Sequence, residues 1–253
     1  MWRASPPGRV EVKRLRSARE RFDLYPLAIH VNYLINLAAL DAVVRARSIA
    51  AFRGEIKRAV AIGAEFLVLH PGSCRDSNVE QGIAALVEGL RDAGQGLHAA
   101  GLTILIENTA GAGCHLGGNF DELARIRTLA GERANLPIGF CLDTCHLLAS
   151  GFDIATRAGL RDTLRRAAST LGLDNVRLLH ANDSKGALGS HLDRHAHIGE
   201  GRIGAEAFHR ILTHPALRAK PFILETPVDN PGDDRRNLDT LKSLARRGAL
   251  RPR

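Results

Sequence analysis

Short apolar runs recur along the chain, each bounded by polar or glycine-containing segments. They read PLAIH, FLVLH, TILIE, IGFCLD, VRLLH and FILE, and they end at His30, His70, Glu107, Asp143, His180 and Glu225. Each is of strand length and nearly continuous in aliphatic residues, which predicts strands buried on both faces of a parallel sheet. The segments between them follow a different period. In 40–62, 79–99, 154–171 and 235–247, apolar residues return every three or four positions among Arg, Glu and Lys, predicting amphipathic helices. Strands that alternate with helices predict βαβ units. A seventh strand, short and poorly defined, is expected near 191–198.

The ends of the strands carry the chemistry. A single His or Glu at a strand end is ordinarily the first solvated residue. Six in succession need another reason. If the strands close into a TIM barrel, their C-terminal ends share one mouth, where active sites sit. Carboxylates gathered there would raise one another's pKa unless cations lay between them. Two short motifs enlarge the set. In CLDTCH, Asp143 is followed three positions later by His146; in DRH, Asp193 and His195 are alternate residues of an extended segment and face the same way. Five histidines and four carboxylates are more than one ion can use. Zinc is usually four-coordinate and accepts imidazole with carboxylate, so the set suits two or three ions; Mn²⁺ or Fe²⁺ can also accept it. The remaining histidines read as packing or surface residues: His98, His209 and His214 in helical segments, and His115, His191 and His197 in loops beside the motifs. Cys145 reads as a buried free thiol rather than a ligand.

Composition narrows the setting. The chain has 253 residues, 45% hydrophobic and 25% charged. That is enough for one barrel of about 250 residues, so a single TIM-barrel domain over 1–253 is expected. No apolar stretch reaches the roughly 20 residues of a membrane-spanning helix. The basic N-terminus has no apolar core and is not a secretory signal. Four cysteines without a C-x-x-C pair point to reduced thiols and a cytoplasmic protein. The formal charge of +8 favours a polyanionic partner, although a GC-rich genome, which favours Arg, would produce the same balance.

Seven segments, in this order, resemble the endonuclease IV family (AP endonuclease family 2): HVNYLIN at 30–36, LHPGS at 69–73, IENTAG at 106–111, CLDTCHLLASGFD at 141–153, HANDSK at 180–185, DRHAHIGEGRIG at 193–204 and ILET at 223–226. The resemblance implies an α/β fold, a xylose isomerase-like (β/α)8 TIM barrel, with three zinc ions. It implies that His30, His70 and Glu107 hold the first. Glu107 would bridge to the second, with Asp143, His180 and Glu225. His146, Asp193 and His195 would hold the third. The implied activity is hydrolysis of the phosphodiester 5′ to abasic sites in double-stranded DNA, during base excision repair, with trimming of blocked 3′ ends. Glu107 and Glu225 would be catalytic as well as metal-binding. A monomer would grip the DNA with Tyr33 and Leu34 in the base stack and with Lys185 and Arg194 on phosphates. The glycine loop GEGRIG at 199–204 suggests backbone N–H groups near a phosphate. Relative to the family pattern, the chain is expected to lack the first strand and helix. Two alternatives remain. One is a DNA-binding barrel inactivated by truncation. The other is a metal-dependent sugar isomerase or epimerase using Glu107, Asp143, His180 and Glu225, against which the additional histidines and the basic charge argue.

Overall fold

The structure is a computed structural model that describes residues 5–75 and 77–247. The chain divides into two compact units. One takes residues up to 107, with 114–116 and 122–140; the other takes 108–113, 117–121 and residues from 141 on. Among the described residues no helix is long and apolar enough to cross a membrane.

The first unit runs α1 (Arg9–Phe22), β1 (Ala28–His30), α2 (Ala42–Ile62), β2 (Phe66–Leu69), α3 (Val79–Gly94), β3 (Thr103–Glu107) and most of α4 (Phe120–Arg133). Strand β4 (Ile138–Asp143) begins in it and ends in the second unit. Strands β1, β2 and β3 pair in parallel and in sequence order, with Ala28 opposite Phe66 and Phe66 opposite Thr103. All four residues of β2 are buried, as a parallel strand covered on both faces requires. Helix α2 buries Phe52, Ile56 and Ala59 on one stripe. Its ends are defined by chemistry: the Asp41 carboxylate accepts the N–H groups of Val43 and Val44, and Gly63 closes it in the left-handed region at φ 74°. Asn78 and Gln81 cap α3 reciprocally.

The second unit runs α5 (Thr144–Ala149), α6 (Arg157–Thr170), β5 (Val176–His180), β6 (Asp183–Ser184), β7 (His195–Ala196), α7 (Ala205–Thr213), β8 (Phe222–Ile223) and α8 (Asp233–Arg246). Strands β5 and β8 pair in parallel. The predicted strand runs and the four predicted helices all form.

Two expectations change. The segment read as a seventh strand contributes only β7, which pairs antiparallel with β6 in a separate two-stranded ribbon. It has no apolar run to bury, so it serves as the far side of a hairpin. Helix α3 stops at Gly94 and not at 99, because Gly94 and Gly96 flank its end and Gly96 takes φ 67°. His98 therefore lies beyond the helix.

Candidate metal centre

In the first unit, three strand ends bring His30, His70 and Glu107 together, with ligand atoms within 4.8 Å of one another. The Nε2 of His30 lies 3.0 Å from Glu107 Oε2, and that of His70 3.1 Å from the same oxygen. The two imidazoles meet edge to face, 5.0 Å between centroids. Glu107 is fully buried. A carboxylate does not persist in such a place without positive charge beside it.

In the second unit, the turn from β4 into α5 places Asp143 and His146. Asp143 caps α5 through an N–H from His146, at 2.8 Å. The segment entering β7 supplies Asp193, and β7 itself supplies His195. The Nε2 of His146 lies 3.2 Å from Asp193 Oδ1, and the Nε2 of His195 lies 3.5 Å from Asp193 Oδ1 and 4.0 Å from Asp143 Oδ2. Asp143, His146 and His195 offer ligand atoms within 4.8 Å of one another. At the end of β5, His180 Nδ1 lies 3.1 Å from Glu225 Oε2.

One pattern repeats in His30, His146 and His195. The Nδ1 of His30 faces the Val31 carbonyl at 2.8 Å, that of His146 faces the Asn108 carbonyl at 2.9 Å, and that of His195 faces the Glu225 carbonyl at 2.9 Å. A carbonyl can only accept, so each Nδ1 carries the proton. In the neutral ring Nε2 then presents a lone pair, and in each case it points toward carboxylate oxygens. Lone pair against anion is repulsive unless a cation sits between them. A carbonyl that fixes the tautomer is the usual support for a metal-binding histidine. The buried Nε2 of His195 has no hydrogen-bond partner among the described residues. The donor set of imidazole nitrogen and carboxylate oxygen fits zinc or a similar divalent ion.

Cys145 also approaches Asp193 and His195, yet burial pushes its thiol up to about 12, with the Asp143 and Asp193 charges adding to the rise. It donates weakly to the Arg194 carbonyl at 3.7 Å and stays a buried thiol.

The DNA-contact candidates are all accessible. Tyr33, on the loop after β1, is 87% exposed, and Leu34 beside it is half-buried. Lys185 and Arg194 are exposed and close the β6–β7 hairpin, the Lys185 N–H donating to the Arg194 carbonyl at 2.9 Å. His197 and His209 are packing residues. Nδ1 of His197 lies 3.0 Å from Asn237 Nδ2 on α8, and Nδ1 of His209 lies 2.8 Å from the Leu244 carbonyl.

The glycine loop 199–204 carries an anion already. The N–H groups of Gly199, Gly201, Ile203 and Gly204 all point at the carboxylate of Asp183, at 2.9 to 3.2 Å, and the N–H of Ser184 joins them at 2.8 Å. A side chain at Gly201 would collide with that carboxylate. The loop is an anion-binding nest, filled by the chain itself and not left open for a phosphate.

Sequence reasoning missed Asp183 and two asparagines. The side chain of Asn108 accepts the Asp143 N–H at 2.7 Å and donates to the Asp143 carbonyl at 3.3 Å. Asn182 donates to Asp143 Oδ2 and accepts the Glu225 N–H at 2.8 Å. The only trace in the sequence is position: Asn108 stands one residue past Glu107, and Asn182 and Asp183 stand two and three past His180.

The comparisons with known proteins concern the chain as a whole. The family model described as a xylose isomerase-like TIM barrel, of the AP endonuclease 2 family, matches residues 2–246. The chain is 69% identical over 245 residues to a probable endonuclease 4 of Solibacter usitatus, covering 97% of this chain and 84% of that protein. It is 39% identical over 226 residues to a probable endonuclease 4 of Halothermothrix orenii, covering 89% and 80%. The solved endonuclease IV of Thermus thermophilus superposes with a TM-score of 0.82 at 35% identity, covering 96% of this chain and 84% of that one. With nearly its whole length matched by both sequence and fold, this chain belongs to the endonuclease IV family of xylose isomerase-like TIM barrels.

Proposed function

We propose that this protein is a zinc-dependent endonuclease that hydrolyses the phosphodiester 5′ to abasic sites in double-stranded DNA and also trims blocked 3′ ends. The observation that carries the metal dependence is the set of three histidines whose Nδ1 protons are fixed by carbonyls while Nε2 faces carboxylate. The family relationship carries the choice of DNA as substrate. Three ligand groups are proposed. His30, His70 and Glu107 hold one ion. Asp143, His180 and Glu225 hold another, with Glu107 shared between these two by resemblance alone. His146, Asp193 and His195 hold the third.

When bound, the ions supply a water that is deprotonated at neutral pH and positive charge beside the phosphate. The protein's residues do the rest. The carbonyls hold the imidazoles of His30, His146 and His195 correctly turned. Glu225, hydrogen-bonded through its main chain on both sides, keeps a carboxylate beside the reacting phosphate to orient the attacking water. Tyr33 and Leu34 enter the base stack next to the lesion, where extruding a nucleotide without a base is least unfavourable. Lys185 and Arg194 contact phosphates.

The test is a duplex carrying one abasic analogue, incubated with natively purified protein with and without EDTA, together with elemental analysis of the same sample. Cleavage that stops on chelation and returns with zinc, from a protein holding two to three zinc ions, is the expected result. Cleavage unaffected by EDTA, or one ion or none in a folded sample, would overturn the assignment.

A further inference from the structure

Asn182 is fully buried and spends every polar atom it has. Its backbone N–H donates to the Thr144 hydroxyl at 2.9 Å, and its carbonyl accepts from that hydroxyl at 2.7 Å. Its side chain reaches two different strand ends. The atom facing the Glu225 N–H must be the amide oxygen, because it meets a donor at 2.8 Å. The atom facing Asp143 Oδ2 must be the amide nitrogen, because it meets a carboxylate. Chemistry therefore fixes the amide's orientation at both ends. The other oxygen of Asp143 takes the His146 N–H. Each Asp143 oxygen so accepts one hydrogen bond and keeps a lone pair in a defined direction. An apolar side chain of this size would fill the volume without serving either group, and a carboxylate could accept from Glu225 but not donate to Asp143.

We propose that Asn182 is a positioning residue for the metal centre. Through one amide it sets the rotation of the Asp143 carboxylate and the placement of the Glu225 main chain, so two ligands from separate strands keep a common register. It is not itself among the groups that could hold an ion. The inference rests on the metal-centre reading above, and a wild-type titration separates the two: if wild-type protein takes up no metal, that reading has failed before Asn182 is tested.

The experiment uses the full chain, stripped of metal and titrated with Co²⁺ and with Zn²⁺ against a chromophoric chelator, with circular dichroism of the metal-free protein alongside. Asn182→Ala removes both side-chain bonds. Asn182→Asp keeps the acceptor for Glu225 and removes the donor to Asp143. The expected result is that the variants fold without metal, that Asn182→Ala binds at least one Zn²⁺ about 10- to 100-fold more weakly, and that both shift the visible Co²⁺ bands. If Asn182→Ala fails to fold, Asn182→Asp decides on the Co²⁺ bands. Wild-type affinity and wild-type spectra in a folded variant would overturn the proposal, as would loss of fold in both variants, which would make Asn182 a structural residue only.

Discussion

Glu107 concentrates the most consequence in one side chain. Its Oε2 receives two imidazole nitrogens at 3.0 and 3.1 Å in a place sealed from solvent. In Glu107→Gln the shape survives and the charge does not, so a cation loses its anionic partner. Cleavage of abasic DNA should fall by more than about 100-fold, with weaker zinc binding, since even outer partners of metal ligands contribute that much. Near-normal turnover with full zinc content would contradict the assignment. His209→Ala is the matched control. It removes one hydrogen bond between α7 and the Leu244 carbonyl, which contributes about 0.5–1.5 kcal/mol, and should lower the melting temperature slightly with catalysis intact. The strand-end His and carboxylate groups were legible in the sequence because a buried parallel strand is a continuous apolar run, and the first ionisable residue after it stands out. Asn108, Asn182 and Asp183 were not. Asn or Asp just past a strand is ordinary turn chemistry, and only the folded chain shows which donors and acceptors reach them.

Helix α1 was not legible as an element, since RVEVKRLRSARERF is too charged to show an apolar stripe. An ion pair helps tie it down, beside a bond from Arg16 to the Ala61 carbonyl at 2.9 Å. Buried Arg19 donates to both oxygens of Glu65, at 2.9 and 2.7 Å, and to the Gly63 carbonyl at 2.7 Å, while the Leu27 N–H also reaches Glu65. Partial burial pushes the Glu65 carboxyl upward, but the Arg19 guanidinium and the Leu27 N–H outweigh it and hold the group below its ordinary value near 4.5. A depressed carboxyl contributes stability above its unfolded pKa and loses it as pH falls through the folded one. Wild-type protein should therefore lose stability below about pH 4.5 more steeply than Glu65→Gln, whose melting temperature should be lower at pH 7 and flatter toward acid. Parallel acid profiles for the two proteins would dismiss the ion pair as an anchor. The β6–β7 ribbon was half-legible. DRH announced Asp193 and His195, but two-residue strands carry no periodicity to announce their pairing.

At the scale of the whole molecule, the formal charge of +8 sets the terms on which a polyanion is met. Basic side chains such as Lys185 and Arg194 are exposed, and phosphates neutralised by such groups release counterions. Binding to an abasic duplex should therefore weaken linearly in log–log against salt, and Lys185→Ala should reduce the slope by about one unit. A binding constant flat between roughly 50 and 200 mM salt would favour a small neutral substrate. Composition made this charge legible, but not its division between side chains and backbone. The loop 199–204 shows why that division matters. In an exchange map of the molecule in D₂O, a glycine-rich loop between a ribbon and a helix would be expected to label within seconds. Here its amides at Gly199, Gly201, Ile203 and Gly204 donate to one buried carboxylate, so deuterium should enter them as slowly as it enters the paired strands, and in Asp183→Asn the same four positions should become the fastest to label.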